Sequence, residues 1–194
     1  KLVPEEGYTS DLLSGHASSF IEANKDKAFC VYLPFQAVHF PYQGPNDKPY
    51  RVAGTDYWTN TKYGSRYEPV EDRKLAYKEM VESMDAAIGR VVQTVRKAGI
   101  ENKTLIFVIS DNGAYSWVGS NAPLSGQKSG LLEGGHRVPA VAYWPGKIKP
   151  AAVTDETVLT MDLFPTIAAV TGVKVPDGLK LDGVDISDVL FKGE

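Results

Sequence analysis

Three polar features of this 194-residue chain have residue types and spacings that could do chemistry. Asp111 and Asn112 are adjacent, and Gly113 follows them. A carboxylate beside an amide carbonyl oxygen suits a hard cation such as Ca²⁺ or Mg²⁺, which takes oxygen ligands. Asn-Gly is equally a strong turn dipeptide, so the triplet alone leaves a plain turn open. Two residues also fall short of the roughly six to eight oxygens that Ca²⁺ takes, so other ligands must come from elsewhere. His39 lies in a stretch rich in Pro and aromatic residues, where a histidine serves either as a packed side chain or as a proton donor and acceptor. Lys128 lies within Ser125-Gly126-Gln127-Lys128-Ser129-Gly130. A lysine among glycines makes a good anion contact beside exposed backbone N–H groups, and reads equally as a solvated surface lysine.

Other chemistries are excluded by spacing. A phosphate-binding P-loop needs Gly and Lys adjacent; here Gln127 intervenes, and Asn121 stands where the motif needs Gly. No His-x-x-x-His or Cys-x-x-Cys pair exists, so a zinc site is not expected. His16 falls in an expected helix and reads as structural, whereas His136, before Arg137, is open to either role. Cys30 sits in an apolar run and is expected to act as a small core hydrophobe rather than a nucleophile.

The elements that must position these residues follow from periodicity. Thr9, Ser10 and Asp11 before Leu12, Leu13, Ala17, Phe20 and Ile21 predict a capped amphipathic helix over 9–24. The apolar run 28–33 predicts a buried strand of a parallel sheet. Residues 35–72 hold four prolines and eight aromatics, including Trp58, and predict a long functional loop. Leu75, Met80, Val81, Met84, Ala87, Ile88, Val91, Val92 and Val95 predict a helix over 73–98, closed by Gly99. A central strand is expected over 104–109, a glycine-rich loop over 110–136 and a strand over 138–144. A helix is expected over 161–171 with Pro165 in its first turn, then a turn-rich end with a short helix near Asp188. This order predicts an α/β fold with a mostly parallel sheet. In such folds ligands collect beyond the carboxyl ends of strands, where Asp111-Asn112 and His39 both fall.

Composition sets outer limits. Hydrophobic residues are 43% and charged residues 23%, ordinary for one folded domain with at most an appendage. A net charge of −3 leaves no footprint for nucleic acid or an anionic membrane. No apolar run approaches the roughly 18 residues of a membrane span. A single cysteine forms no internal disulfide. The first residue is Lys1, and the amino terminus reads as that of a longer or matured chain.

Taken together, the ordered motifs resemble the arylsulfatase family over almost the whole chain. The carriers are Phe29-Cys30-Val31-Tyr32-Leu33, Val38-His39-Phe40-Pro41, Ile109-Ser110-Asp111-Asn112-Gly113 and Gly126-Gln127-Lys128. Glu133-Gly134-Gly135-His136-Arg137-Val138-Pro139, Tyr143-Trp144-Pro145-Gly146, Met161-Asp162-Leu163-Phe164-Pro165-Thr166 and Leu181-Asp182-Gly183-Val184-Asp185 complete the set. Gly119-Ser120-Asn121-Ala122-Pro123-Leu124 looks most like the N-acetylgalactosamine-6-sulfatase branch. The resemblance implies an alkaline-phosphatase-like α/β fold and sulfate-ester hydrolysis through a covalent intermediate. It implies that Asp111 and Asn112 are the second pair of ligands to calcium, with magnesium the alternative. It implies that Lys128 contacts the sulfate group and that His39 assists the leaving group at the bridging ester oxygen. The implied substrate is a sulfated carbohydrate or an aryl sulfate ester, and the implied compartment is periplasmic, secreted or lysosomal.

The sequence also departs from the family. The family nucleophile is a formylglycine made from Cys/Ser-x-Pro-x-Arg. Cys30 has Tyr32 and Pro34 at the second and fourth positions on, and no serine fits either. The first Asp-Asp ligand pair is missing. Residues 1–194 are therefore expected to be part of a sulfatase catalytic domain, inactive alone and partnered by an amino-terminal half. Two alternatives remain: a non-catalytic carbohydrate-binding remnant using the aromatic 35–72 loop, and a phosphatase or phosphodiesterase of the same superfamily. The Gly-Gln-Lys loop and the setting of His39 disfavour the latter.

Overall fold

The computed structural model describes residues 5–47 and 70–193, with side chains from Arg73 onward in the second stretch. Tyr50, Tyr57, Trp58, Tyr63 and Tyr67 of the expected aromatic loop lie outside the described residues. The elements are α1 (Thr9–Asn24), α2 (Val70–Lys97), β1 (Ile106–Ile109), α3 (Glu133–His136), β2 (Ala140–Tyr143), α4 (Leu163–Thr171) and α5 (Ser187–Lys192). Short 3₁₀ turns occupy Glu101–Lys103 and Thr160–Asp162. The chain forms two compact units. One joins Lys1–Ile100 with Ile109–Pro139, and the other joins Glu101–Val108 with Ala140–Glu194. His39, Asp111, Asn112 and Lys128 all belong to the first.

In the first unit α1 has the expected bounds but not the expected side-chain cap. Tyr8 is the cap residue, and its carbonyl accepts from the Asp11 and Leu12 amides at 3.0 Å each. Asp11 instead pairs with Arg90 of α2. Ser10, Ser14, Ala17 and Ile21 recur at helical spacing and form the buried stripe of α1. These small residues let the two backbones come close, and polar contacts fill the seam. Ser14 Oγ accepts from Arg90 Nε at 3.2 Å and Nη2 at 3.0 Å, and Thr94 Oγ1 donates to Ser18 Oγ at 3.0 Å. Gly99 closes α2 as expected, with φ of 72°. Its amide bonds the Arg96 carbonyl at 2.9 Å and the Ile100 amide bonds the Val95 carbonyl at 3.3 Å, the paired C-terminal bonds of a Schellman motif.

The amino-terminal half of α2 carries the core that matters for function. Ala76 and Met80 are buried with Tyr42, and Ala37, Val38, Phe40, Tyr77 and Val118 pack around them. The Tyr8 hydroxyl donates to the Gln43 carbonyl at 2.9 Å, and the Gln43 amide reaches Met80 Sδ at 3.3 Å. The loop bearing His39 is thus tied to both helices.

The expected buried strand over 28–33 is corrected. These residues join no sheet, and Tyr32 is 88% exposed. Cys30 is exposed rather than a core residue. A strand apolar on both faces is stable only between neighbours, and none of the described residues pairs with it.

β1 and β2 form a two-stranded sheet, each shorter than the expected 104–109 and 138–144. The Ser110 amide bonds the Pro139 carbonyl at 3.2 Å, which sets Ile106 opposite Tyr143. The pair therefore runs antiparallel, an arrangement that α/β sheets commonly admit beside parallel strands. Trp144 Nε1 donates to the Asn102 carbonyl at 2.9 Å, and the Trp144 ring meets Phe191 edge-on at 6.0 Å.

The Met161–Thr166 motif forms a structural knot. Asp162 is buried, and its carboxylate accepts from the Leu159 amide at 2.7 Å and the Val184 amide at 2.9 Å. Thr166, wholly buried, donates to the Asp162 carbonyl at 2.6 Å and accepts from the Ile186 amide at 3.0 Å. A Cβ on Gly183 would overlap the Met161 carbonyl, so the returning chain passes as bare backbone.

Two predictions follow from this packing. Asp162→Ala leaves two part-buried amides without their acceptor and should cost about 2–4 kcal/mol in denaturant unfolding, at roughly 1–2 kcal/mol for each, the lower part of the range for an unsatisfied group. Burial pushes the Tyr42 and Tyr77 phenols above their ordinary value. Their contribution to stability is therefore full below about pH 10 and is lost as pH rises through the higher folded-state values. Absorbance titration should show both ionising late, together with alkaline unfolding.

Candidate functional site

Asp111 and Asn112 follow β1 after Ser110, as the sequence predicts. Asp111 is exposed and Asn112 half-buried. Ser110 Oγ donates to the Asn112 carbonyl at 2.9 Å, and Asn112 Nδ2 donates to Asp111 Oδ1. Asp111 Oδ2 and Asn112 Oδ1 take no part in these bonds.

Gly113 then meets the 125–135 loop backbone to backbone. Its amide bonds the Gly135 carbonyl at 3.0 Å, and a Cβ on it would overlap the Gly134 carbonyl oxygen. A Cβ on Gly134 would lie 2.5 Å from the Gly126 carbonyl oxygen, and one on Gly135 would overlap that of Gly130. The Gly134 amide bonds the Ser125 carbonyl at 2.7 Å. Only glycine, lacking Cβ, permits approaches this close. Asn121 completes the seam: its Oδ1 accepts from the Ala114 amide at 2.9 Å, and its Nδ2 donates to the carbonyls of Ala114 at 2.8 Å and Gly126 at 3.2 Å.

Lys128 is held in the same seam. Its amide bonds the Ala114 carbonyl at 3.2 Å. Its half-buried side chain has no carboxylate partner among the described residues, and Nζ lies 5.8 Å from the Tyr115 ring centroid. An ammonium without a counter-ion in a glycine-rich loop is an electrostatic invitation to an anion.

His39 is exposed, and its Nδ1 is 2.8 Å from the Phe40 carbonyl. A carbonyl can only accept, so Nδ1 carries the proton and Nε2 is the nitrogen left for a ligand. The His39 loop connects to the Lys128 loop through aromatic rings. Tyr42 meets Trp117 edge-on at 6.2 Å, and Trp117 meets Tyr115 edge-on at 5.6 Å. The Arg73 guanidinium lies 5.4 Å from the Trp117 ring centroid.

The structure thus joins the Asp111-Asn112 turn directly to the Lys128 loop and ties the His39 loop to them through Tyr42 and Trp117. The other histidines stand apart from this arrangement. His16 is 2.7 Å from the Glu5 carboxylate on the exposed side of α1, and His136 Nε2 donates to the Leu131 carbonyl at 3.2 Å. Asn121, Tyr115, Trp117 and Gln127 are members of the site that sequence reading passed over. An isolated Asn or Gln in a loop carries no spacing signal; the aromatics at 115 and 117, two apart in a glycine-rich loop, were the available hint.

No three His, Cys, Asp or Glu side chains gather among the described residues. The Asp111-Asn112 pair offers two hard oxygens on one exposed turn, which fits one side of an oxygen-ligated cation but not a complete cage.

Comparison with known proteins identifies the fold and the family. The solved structure of Ps i-CgsB in complex with k-i-k-neocarrahexaose superposes with a TM-score of 0.81 and 30% identity, over 100% of this chain and 41% of that one. The chain therefore carries part of the alkaline-phosphatase-like α/β fold of the sulfatases that resemble it. The Sulfatase family profile matches residues 2–173, and the chain belongs to the sulfatase family. It is 32% identical to the steryl-sulfatase of Rattus norvegicus over 188 residues, covering 92% of this chain and 29% of that protein. It is 29% identical to the N-acetylgalactosamine-6-sulfatase of Mus musculus over 196 residues, covering 97% of this chain and 34% of that protein. The chain thus spans about a third of the length of these curated relatives.

The glycine seam generates a prediction with an internal control. Gly113→Ala forces backbone apart and should cost about 3 kcal/mol or more in unfolding free energy. Gly15→Ala, in α1 with open space around it, should instead stabilise by up to about 1 kcal/mol.

Proposed function

We propose that this chain is the portion of a sulfatase that grips the sulfate group and one side of the metal, acting on sulfate esters with a nucleophile carried elsewhere. One observation supports this reading above the others: an ammonium without a counter-ion, Lys128, is bonded through its own backbone to the segment that leaves Asp111-Asn112. Cation and hard oxygens on adjoining turns make a place for a doubly contacted anion beside a metal.

In this reading Asp111 and Asn112 hold calcium, or magnesium, through oxygen. A metal held there would supply positive charge for the ester's sulfuryl oxygens. Lys128 Nζ contacts a sulfuryl oxygen, binding the ground state and stabilising the transition state. His39, donating through Nδ1 to Phe40, turns Nε2 toward the bridging oxygen; protonated, it gives that oxygen a proton as the S–O bond breaks. The attacking group is the formylglycine of a Cys/Ser-x-Pro-x-Arg segment, which this sequence lacks, so the chain works with an amino-terminal portion and is inactive alone. A sulfated carbohydrate is the preferred substrate class over a simple aryl sulfate. This rests on the hexaose named with Ps i-CgsB and on the likeness to N-acetylgalactosamine-6-sulfatase.

The test is a sulfate-release assay on the full-length protein that carries this chain. Lys128→Ala should lower kcat/KM about a hundredfold or more. His39→Ala should lower kcat by about a hundredfold on a sugar sulfate, and much less on an aryl sulfate, whose leaving group needs no proton. Metal chelation should abolish turnover, and the 194-residue chain alone should release no sulfate. Undiminished activity in Lys128→Ala would overturn the reading, and a faster rate on aryl phosphate would move it to the phosphatase alternative.

A further inference from the structure

Three contacts in strict succession clamp the residues after Asp111-Asn112 to those around Lys128. The Ala114 carbonyl accepts the Lys128 amide at 3.2 Å, the Tyr115 ring lies 5.8 Å from Lys128 Nζ, and Ser116 donates to Gln127 Oε1 from its amide at 3.0 Å and its hydroxyl at 2.7 Å. The backbone bond fixes where the lysine starts, and the Gln127 bonds fix the residue before it. The side chain itself is a flexible four-carbon stem, and its ammonium lies near the Tyr115 ring. A flexible ammonium left unrestrained would lose much of its value as an anion contact, because ordering it costs conformational entropy at the moment of binding.

The Tyr115 ring is itself held. Trp117 meets it edge-on at 5.6 Å, is met by Tyr42 at 6.2 Å, and carries the buried Arg73 guanidinium 5.4 Å from its ring centroid. Tyr42 belongs to the same core as Val38 and Phe40, the neighbours of His39. One row of rings therefore runs from beneath Lys128 to the base of the His39 loop.

We propose that Tyr115 is a positioning residue for Lys128, its ring face holding the ammonium over the anion site, and that Trp117 sets Tyr115 against the His39 loop. The proposal rests on the reading of Lys128 as the sulfate contact. It assigns Tyr115 no contact with substrate and no proton transfer; its hydroxyl is dispensable and its ring is not.

The experiment measures inhibition by inorganic sulfate, alongside KM and kcat, in the full-length protein with Tyr115→Phe, Tyr115→Leu, Lys128→Met and the Tyr115→Leu/Lys128→Met pair. Tyr115→Phe, which keeps the ring, should retain far more sulfate inhibition than Tyr115→Leu. Tyr115→Leu should weaken sulfate inhibition and raise KM about fivefold, in the range of a partly buried cation–π contact. In the Lys128→Met background the same Leu change should add nothing, because the ring acts only through the ammonium. Should Tyr115→Leu fail to fold, Tyr115→Met, which also removes the ring but fills more of its space, replaces it with the same expected direction. Equal effects of Tyr115→Leu with and without Lys128, or no effect beside a damaging Lys128→Met, overturn this proposal and leave the functional reading intact. An undamaging Lys128→Met overturns the functional reading, and this proposal with it.

Discussion

Gly113 passing against Gly134 and Gly135 is the contact on which the site depends. It is backbone on backbone, with no side chain between. The two loops it joins have little other means of staying together. Residues 110–136 hold no regular element longer than the four-residue α3. Without that apposition the Ala114 carbonyl would not meet the Lys128 amide, and Asn121 could not span Ala114 and Gly126. The absence of three Cβ atoms therefore does more to set the distance from Asp111 to Lys128 than any attractive side chain. Steric exclusion works here as a ruler: one added methyl group has nowhere to go.

The helices serve the site at one remove. α2 presents Ala76, Tyr77 and Met80 to the His39 loop near one end and Arg90 and Thr94 to α1 near the other. The α1 seam is unusual for its serines, which trade apolar burial for hydrogen bonds to Arg90 and Thr94. Each such bond is modest in net terms, and Arg90 is itself half exposed, so the seam draws its register from several such contacts acting together. The apolar 28–33 run and the exposed parts of β1 tell a complementary story. Val31, Val108 and Ile109 each stand more than a third exposed, as residues built to be covered on both faces.

Family membership and site geometry answer different questions. The sulfatase profile and the superposition on Ps i-CgsB fix the fold and the family. They do not say how a lysine in a glycine-rich loop is aimed. What the structure adds is the succession Ala114, Tyr115, Ser116 against Lys128 and Gln127, where hydrogen bonds alternate with a ring contact.

Helical periodicity was legible from residue order alone. The bounds of α1, the Schellman end at Gly99 and the place of Pro165 in α4 all depend on neighbours a few residues apart, and local sequence carries that information. Asp111-Asn112 after a strand and Lys128 among glycines could be picked out the same way, because residue type and spacing state which ligand each would suit. Tertiary structure decided the rest. That 28–33 would not be a strand and that Cys30 would be exposed depended on partners the run itself cannot specify. So did the pairing of Asp11 with Arg90 in place of a helix cap, the burial of Asp162 under the Leu159 and Val184 amides, and the roles of Asn121 and Tyr115. These contacts join residues distant in sequence, and no local pattern announces them. Short-range order follows from each residue's own shape and its near neighbours; a site assembled across loops exists only once the chain has closed on itself.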